Sequence, residues 1–484
     1  MSSKKKAHVV AVVPASYDTL LFDLPFSAQP PRMINPELGL PNLVSRRGHN
    51  AGYAIDITLL DAPDHRLIRS GVLLGHRVID GRGEWYLGAP DWEPMLPAER
   101  IEPMGHAEIP EEFADLVRPF RRRATLGPVA ALSLVRAEFC FRGAAGTTVA
   151  LLRDDKVTVR RGGLTTARFR EVMLTPVGPG LTTEQIEFLG AALGGVGATP
   201  VARFPRLVTR LGAPATGLTD FPVPPAVHGI STFESFVSAL LATRLRELVK
   251  ADLAVRTEGA GAPRELRDVA AGLRTDLQGL AAVLEPLWSQ DLQEELDWLV
   301  EQADAELAGG PKLVSRLRGE RYLTLLERLV TASRAPQVGE SALLPSGDVV
   351  EALVHEATER LVETVERARV DGPQETWDEV TEAMTEVDRA AAVAVRLDSR
   401  RVAKLRRRLD PAQELLAEVS SRAGRLGEIQ REGELQSGPE AFAAGRCYER
   451  EVHQLDVARE AFLEAWPKVS VRLRDVTPVR RKKR

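Results

Sequence analysis

The densest run of like charge in the chain is Arg400-Arg401-Val402-Ala403-Lys404-Leu405-Arg406-Arg407-Arg408, six cations in nine residues. On a helix, Arg401, Lys404 and Arg408 fall at i, i+3 and i+7, on one face. Such a face can hold phosphate groups of a polyanion or a nucleic acid by summed charge neutralisation. The competing reading is a solvated helix face neutralised by acids such as Glu414 and Glu418. Arg264, Arg267 and Arg274 form a second strip on one helical face. Catalytic signatures are scarce. There is no G-x-x-x-x-G-K-[ST] loop, which excludes P-loop phosphate binding. Glu359 stands where the helix bearing His355-Glu356 would need a second histidine to hold zinc. The glycines of residues 190–197 follow a helical stretch and read as a helix terminus, not a dinucleotide loop. Cys140 and Cys447 lie far apart and read as packed thiols, not as a disulfide or a zinc pair.

A chain of 484 residues needs two or three domains to carry these groups. Residues 1–210 read as α+β. Short β-branched or apolar runs at 53–60, 72–78, 84–87, 130–136, 147–152, 156–160 and 166–174 are bounded by turn residues. Asp80-Gly81, Asp154-Asp155 and Arg161-Gly162-Gly163 are turn chemistry between neighbouring strands. With a helix over 183–193, they predict an antiparallel sheet or barrel. Residues 211–230, rich in Pro and Gly, read as a linker, with the domain boundary near 225. From Thr232 the periodicity is helical. Val350, Val354, Ala357, Leu361 and Val365 make one buried stripe, and similar stripes at 233–255, 264–287, 292–307, 322–330 and 441–466 predict an antiparallel bundle over 231–472. Residues 473–484 are a basic tail.

The two halves differ in charge. Residues 1–225 carry 26 Lys+Arg against 23 Asp+Glu, whereas 226–484 carry 38 against 45. An acidic bundle is a poor general host for polyanions. Lys4–Lys6 and Arg480–Arg484 read as charged termini. No stretch approaches the roughly 18 apolar residues of a membrane span, and the apolar run 9–13 is too short for a signal peptide, so a cytoplasmic location is expected.

Several segments resemble, in order, those of CYTH–CHAD proteins. Leu60-Asp61-Ala62-Pro63-Asp64-His65-Arg66-Leu67, with Gly71 following, resembles the family's DTPD–RL–G segment, and Gly83-Glu84-Trp85-Tyr86-Leu87 its Trp-containing strand. Arg121-Arg122-Arg123, Asp155-Lys156-Val157 and Phe169-Arg170-Glu171-Val172 resemble three later strands of the tunnel. In the second half, Leu296-Asp297-Trp298, Glu320-Arg321-Tyr322 and Ala441-Phe442-Ala443-Ala444-Gly445-Arg446 resemble three helices of the family's helical domain.

The resemblance implies a triphosphate-tunnel domain followed by a polyphosphate-associated helical domain. In such a tunnel, arginines and lysines surround the substrate and glutamates hold a divalent metal. Here the expected metal glutamates shrink to Glu171. Residues 1–17 contain no acid, Met173 stands at a second glutamate position, and Gly75 stands at a basic one. Arg77, Arg122, Arg123 and Arg170 remain as candidate anion ligands of a basic channel, beside Arg264, Arg267, Arg274, Arg401, Lys404 and Arg408 in the helical half. The family's second helical basic motif falls on Asp378, Thr381, Thr385, Glu386 and Asp388, with three of five positions acidic. The expectation is therefore a bacterial scaffold or interaction protein, non-catalytic and needing no cofactor, with inorganic polyphosphate or another polyanion as the candidate partner and polyphosphate granules as a candidate location. The alternatives are a magnesium-dependent triphosphate or polyphosphate hydrolase with relocated carboxylates, and a weak nucleic-acid binder acting through residues 400–408.

Overall fold

The computed structural model describes residues 18–46, 52–105, 108–143, 145–397, 400–434 and 437–474; Lys4–Lys6, Arg480–Arg484 and the acid-free stretch 1–17 lie outside the described residues. The chain divides into two units, Met1–Asp220 and Phe221–Arg484. The first contains β1 (Leu20–Leu24), β2 (Asn42–Ser45), β3 (Gly52–Asp61), α1 (Arg66–Arg69), β4 (Leu73–Ile79), β5 (Arg82–Gly88) and β6 (Arg100–Pro103). Next come α2 (Glu111–Leu116), α3 (Arg118–Arg121), β7 (Gly127–Arg142), β8 (Thr148–Arg161), β9 (Leu164–Pro176), α4 (Thr183–Gly194), β10 (Thr199–Val201) and α5 (Leu207–Leu211).

These strands build one antiparallel sheet in the order β10-β1-β9-β8-β7-β3-β4-β5-β6, with β2 also on β7. β10 and β6 are its two ends, so among the described residues it is an open sheet and not a closed barrel. Residues directly opposite in a pair share a face. One face carries Ile55, Leu132, Leu134, Val157, Val159 and Phe169, packed with Leu211 and Ala215. Farther along, the other face packs Phe22, Leu24, Leu152, Val172 and Leu174 with Leu181, Leu189 and Leu193 on or before α4. A Thr182/Gln185 capping box starts α4, the helix expected over 183–193.

Three expectations change here. Asp154-Asp155 is not a turn but the middle of β8, a single strand from Thr148 to Arg161. Each carboxylate meets a guanidinium from an adjacent strand, which makes an acidic pair tenable inside a sheet. Arg121 ends α3, with Arg122 and Arg123 just beyond it and not in a strand. Residues 211–220, expected as linker, belong to the first unit because Leu211 and Ala215 are buried in its core.

The second unit is helical: α6 (Phe233–Arg256), α7 (Ala262–Gly279), α8 (Pro286–Leu307), α9 (Leu313–Leu317), α10 (Glu320–Arg334), α11 (Ser346–Arg367), α12 (Gln374–Val395), α13 (Arg400–Glu434) and α14 (Pro439–Arg474). The expected stripe 264–287 is interrupted, since α7 ends at Gly279 and α8 begins at Pro286. At Gly279 a side chain would collide with the Arg389 carbonyl, so glycine lets α12 approach α7 closely.

Buried charges lock this unit. The fully buried Arg256 donates to Asp252 at 2.7 Å and to the Leu317 carbonyl at 3.0 Å, while the Tyr322 hydroxyl donates to Asp252 at 3.1 Å. Asp276 accepts from Arg244 at 2.7 Å and from Arg396 at 3.2 Å, joining α6, α7 and the end of α12. Trp377 meets Phe462 edge-to-face and Phe462 stacks on Trp466, which seats α14 against α12.

Two outcomes follow. Asp252→Asn removes the charge opposite a fully buried guanidinium and should lower the helical unit's unfolding free energy by about 3–5 kcal/mol, against about 1 kcal/mol for Tyr322→Phe, as read by urea unfolding. In the first unit, burial pushes the Asp61 carboxyl up to about 6, although the backbone N–H groups of Ala62, Leu67 and Ile68 donate to it. Its folded value is raised, so the contribution of Asp61 to the first unit's stability is fully present below about 4 and is lost as pH rises through about 6. Thermal scans of Asp61→Asn across this window should show a flatter pH dependence than the wild type.

Candidate functional site

The face of the sheet that bears Glu171 holds a row of charge across four strands. Glu171 in β9 is the register partner of both Asp23 in β1 and Asp155 in β8, and Asp155 is the partner of Arg136 in β7. Asp155 receives Arg136 at 2.8 and 2.9 Å and Arg153 at 3.2 Å. These bonds raise the Arg136 guanidinium above its usual range, the hydrogen bond to Asp155 contributing most. Glu171 and Asp23 meet Arg210 of α5, at 3.3 and 3.4 Å. Burial pushes the Glu171 carboxyl up and the Asp23 and Asp155 charges add to it, while Arg210 pulls it down.

Arg210 arrives on a strap, residues 206–220, laid over this face. Leu207, Val208, Leu211 and Ala215 pack into the sheet's apolar core, and the Arg210 guanidinium lies 4.3 Å over the Phe169 ring. Arg161 holds the strap by donating to the carbonyls of Leu211 at 3.0 Å and Ala213 at 2.7 Å. At the strap's end the buried Asp220 pairs with the buried Arg122, and Thr219 donates to Ser70. Sequence reasoning missed Asp23, Arg210, Asp154 and Asp155 as a charge network. The one local signal was an acid inside the apolar run Leu20-Leu21-Phe22-Asp23-Leu24.

The arginines singled out in the first half do not converge. Arg77 is paired with Glu84 and, at 2.9 Å, with Glu99, and lies over the Tyr86 ring. Arg122 anchors the strap through Asp220, with φ at 52°. Arg123 is exposed beside it. Arg170 points to the opposite face of β9 from Glu171, nearly fully buried, gripping Asp154 through two bonds of 2.8 and 2.6 Å and donating to the Ala28 carbonyl. Gly75 cannot carry the basic side chain that the resemblance implies, because any Cβ there would collide with the Thr58 carbonyl of β3.

Glu171 therefore does not fit the metal-ligand role. Its neighbouring carboxylates are engaged by guanidinium groups, and among the described residues no cluster of three His, Cys, Asp or Glu side chains is placed to hold a metal ion.

In the helical unit, Arg267 is paired with Asp268 at 2.9 Å and Asp304 at 3.1 Å, and Arg274 with Asp297; Arg264 is exposed. The acids on α12, at positions where the resemblance implies bases, form ion pairs. Glu386 pairs with Arg360 of α11 at 3.3 Å, and Asp388 with Arg406 of α13 at 3.0 Å. A groove of about 550 Å³ between α11 and α12 is lined by Glu363, Glu379, Glu382 and Glu386 against Arg360 and Arg367, a balance that repels polyanions. Of the basic run, Lys404 is exposed and Arg408 half-buried, while the side chain of Arg401 lies outside the described residues.

An arginine that binds substrate and one that holds the fold respond differently to removal. Arg170→Ala should lower the first unit's unfolding free energy by about 3–5 kcal/mol by leaving Asp154 in the sheet without its two bonds, and should leave tripolyphosphate affinity unchanged. Urea unfolding and calorimetric titration of the same variant check both halves of that expectation.

No family model matches the chain. Two uncharacterized proteins of Mycobacterium tuberculosis, from strains H37Rv and CDC 1551, are each 27% identical over 319 residues, or 58% of this chain and 60% of theirs. The chain thus spans about 60% of the length of the curated relatives it matches. Among solved structures, it is similar to PptA from Streptomyces chartreusis, with 16% identity, a TM-score of 0.36 and coverage of 49% of this chain and 100% of that one. It is also similar to the CHAD domain from the plant Ricinus communis, with 18% identity, a TM-score of 0.34 and coverage of 50% and 95%. In architecture the chain is an antiparallel-sheet unit followed by a helical unit, the order that the CYTH–CHAD resemblance implies.

Proposed function

We propose that this chain is a non-catalytic protein of CYTH–CHAD type, with a scaffold or interaction role and only residual polyanion binding. One observation carries the reading. The sheet face on which the resemblance would place a basic channel holds Ile55, Leu132, Leu134, Val157 and Phe169 under the strap's Leu211 and Ala215. A triphosphate carries several negative charges, and placing it there would bury them against apolar side chains. The charged remainder of the face is already balanced, carboxylate against guanidinium, and offers little net attraction.

Residual polyanion binding fits one end of α13. Lys404 and Arg407 are exposed, and among the described residues neither is paired with a carboxylate. Arg406, between them, is given to Asp388. Two or three phosphate contacts make a weak, salt-sensitive site for inorganic polyphosphate.

Incubation with tripolyphosphate and Mg²⁺ or Mn²⁺ should release no phosphate above the blank; clear turnover abolished by EDTA overturns the non-catalytic reading. Polyphosphate retention should fall about tenfold between 50 and 200 mM salt, as two to three neutralised phosphates require, and Lys404→Glu with Arg407→Glu should abolish it. Retention unchanged in that variant removes α13 from the account.

A further inference from the structure

We infer that Arg210 is a built-in cation of the sheet, doing for Asp23 and Glu171 what a divalent ion would otherwise do and keeping this chain from binding one. The inference rests on the reading of this face as closed and non-catalytic. Three carboxylates, Asp23, Glu171 and Asp155, stand in one row on three adjacent strands, with Glu171 the direct partner of both others. Like charges directly opposite in a sheet repel, so a row of this kind needs cations. The sheet supplies them for one end only. Arg136 and Arg153 both engage Asp155. For Asp23 and Glu171 the cation comes from outside the sheet, on α5, with one Arg210 nitrogen reaching both carboxylates.

The placement of that guanidinium is fixed on several sides. Leu211, its chain neighbour, is buried in the core, the Phe169 ring lies beneath it, and Arg161 holds the next carbonyls. A metal ion in this position would exchange with solvent and activate bound water. A guanidinium carries the same sign of charge permanently, offers no Lewis acidity, and cannot leave without lifting the strap. The neutralising group is thus covalently part of the chain.

The test uses the full chain with Mn²⁺ alone as the probe, read by electron paramagnetic resonance and calorimetry. Arg210→Ala should gain one Mn²⁺ site at least tenfold tighter than any wild-type binding, and Mn²⁺ should raise the thermal midpoint of that variant but not of the wild type. Adding Glu171→Gln should remove the gained site. Arg210→Gln, which keeps the packing of the stem, serves as the second variant if Arg210→Ala does not fold. If neither variant gains a site and the wild type is inert toward tripolyphosphate, the inference is overturned and the non-catalytic reading stands. Mn²⁺ bound by the wild type through Asp23 and Glu171, with tripolyphosphate turnover, overturns both.

Discussion

A charge taken out of water needs an opposite charge or converging hydrogen-bond donors close by, and this constraint orders both halves of the molecule. In the sheet, Arg170 meets Asp154 on one face of β8 and Arg136 meets Asp155 on the other. Two consecutive acids can therefore sit mid-strand without ending it. In the helical unit, Arg256 meets Asp252 at full burial, and Asp276 draws guanidinium groups from α6 and from the end of α12. Most of the arginines that look available in the sequence are thereby committed to holding elements together.

The strap depends on the same rule and on apolar packing. Residues 206–220 cover hydrophobic surface on the sheet, held near their middle by Arg161 and at their end by the buried Arg122–Asp220 pair. Its cation completes the charge row beneath it. Covering an apolar face and neutralising an acidic one are thus done by a single short segment. An exchangeable ligand has little to contribute to such a face, and that is the physical content of the non-catalytic reading.

The helical unit reached a similar balance by another route. Where the resemblance implies cations on α12, Glu386 and Asp388 bind arginines from the helices on either side. With acids at those positions, this part of the surface forms inter-helix contacts instead of presenting cations. At one end of α13, Lys404 and Arg407 still face solvent.

The sequence by itself determined the order of the two architectures. Strand runs with turn signals come first and stripes at spacings of three and four come after, because both periodicities are local properties of the chain. It also placed acids at Asp378, Glu386 and Asp388, where the CYTH–CHAD resemblance implies bases. Only the tertiary structure decided what the charges do. Arg170 is paired with Asp154, 16 positions away, and Arg122 with Asp220, 98 positions away. No local window contains both partners. The same limit hid β8 behind its two aspartates and hid Asp23, Glu171 and Arg210 as a group. A charge looks solvated in sequence until the fold brings its counter-charge to it.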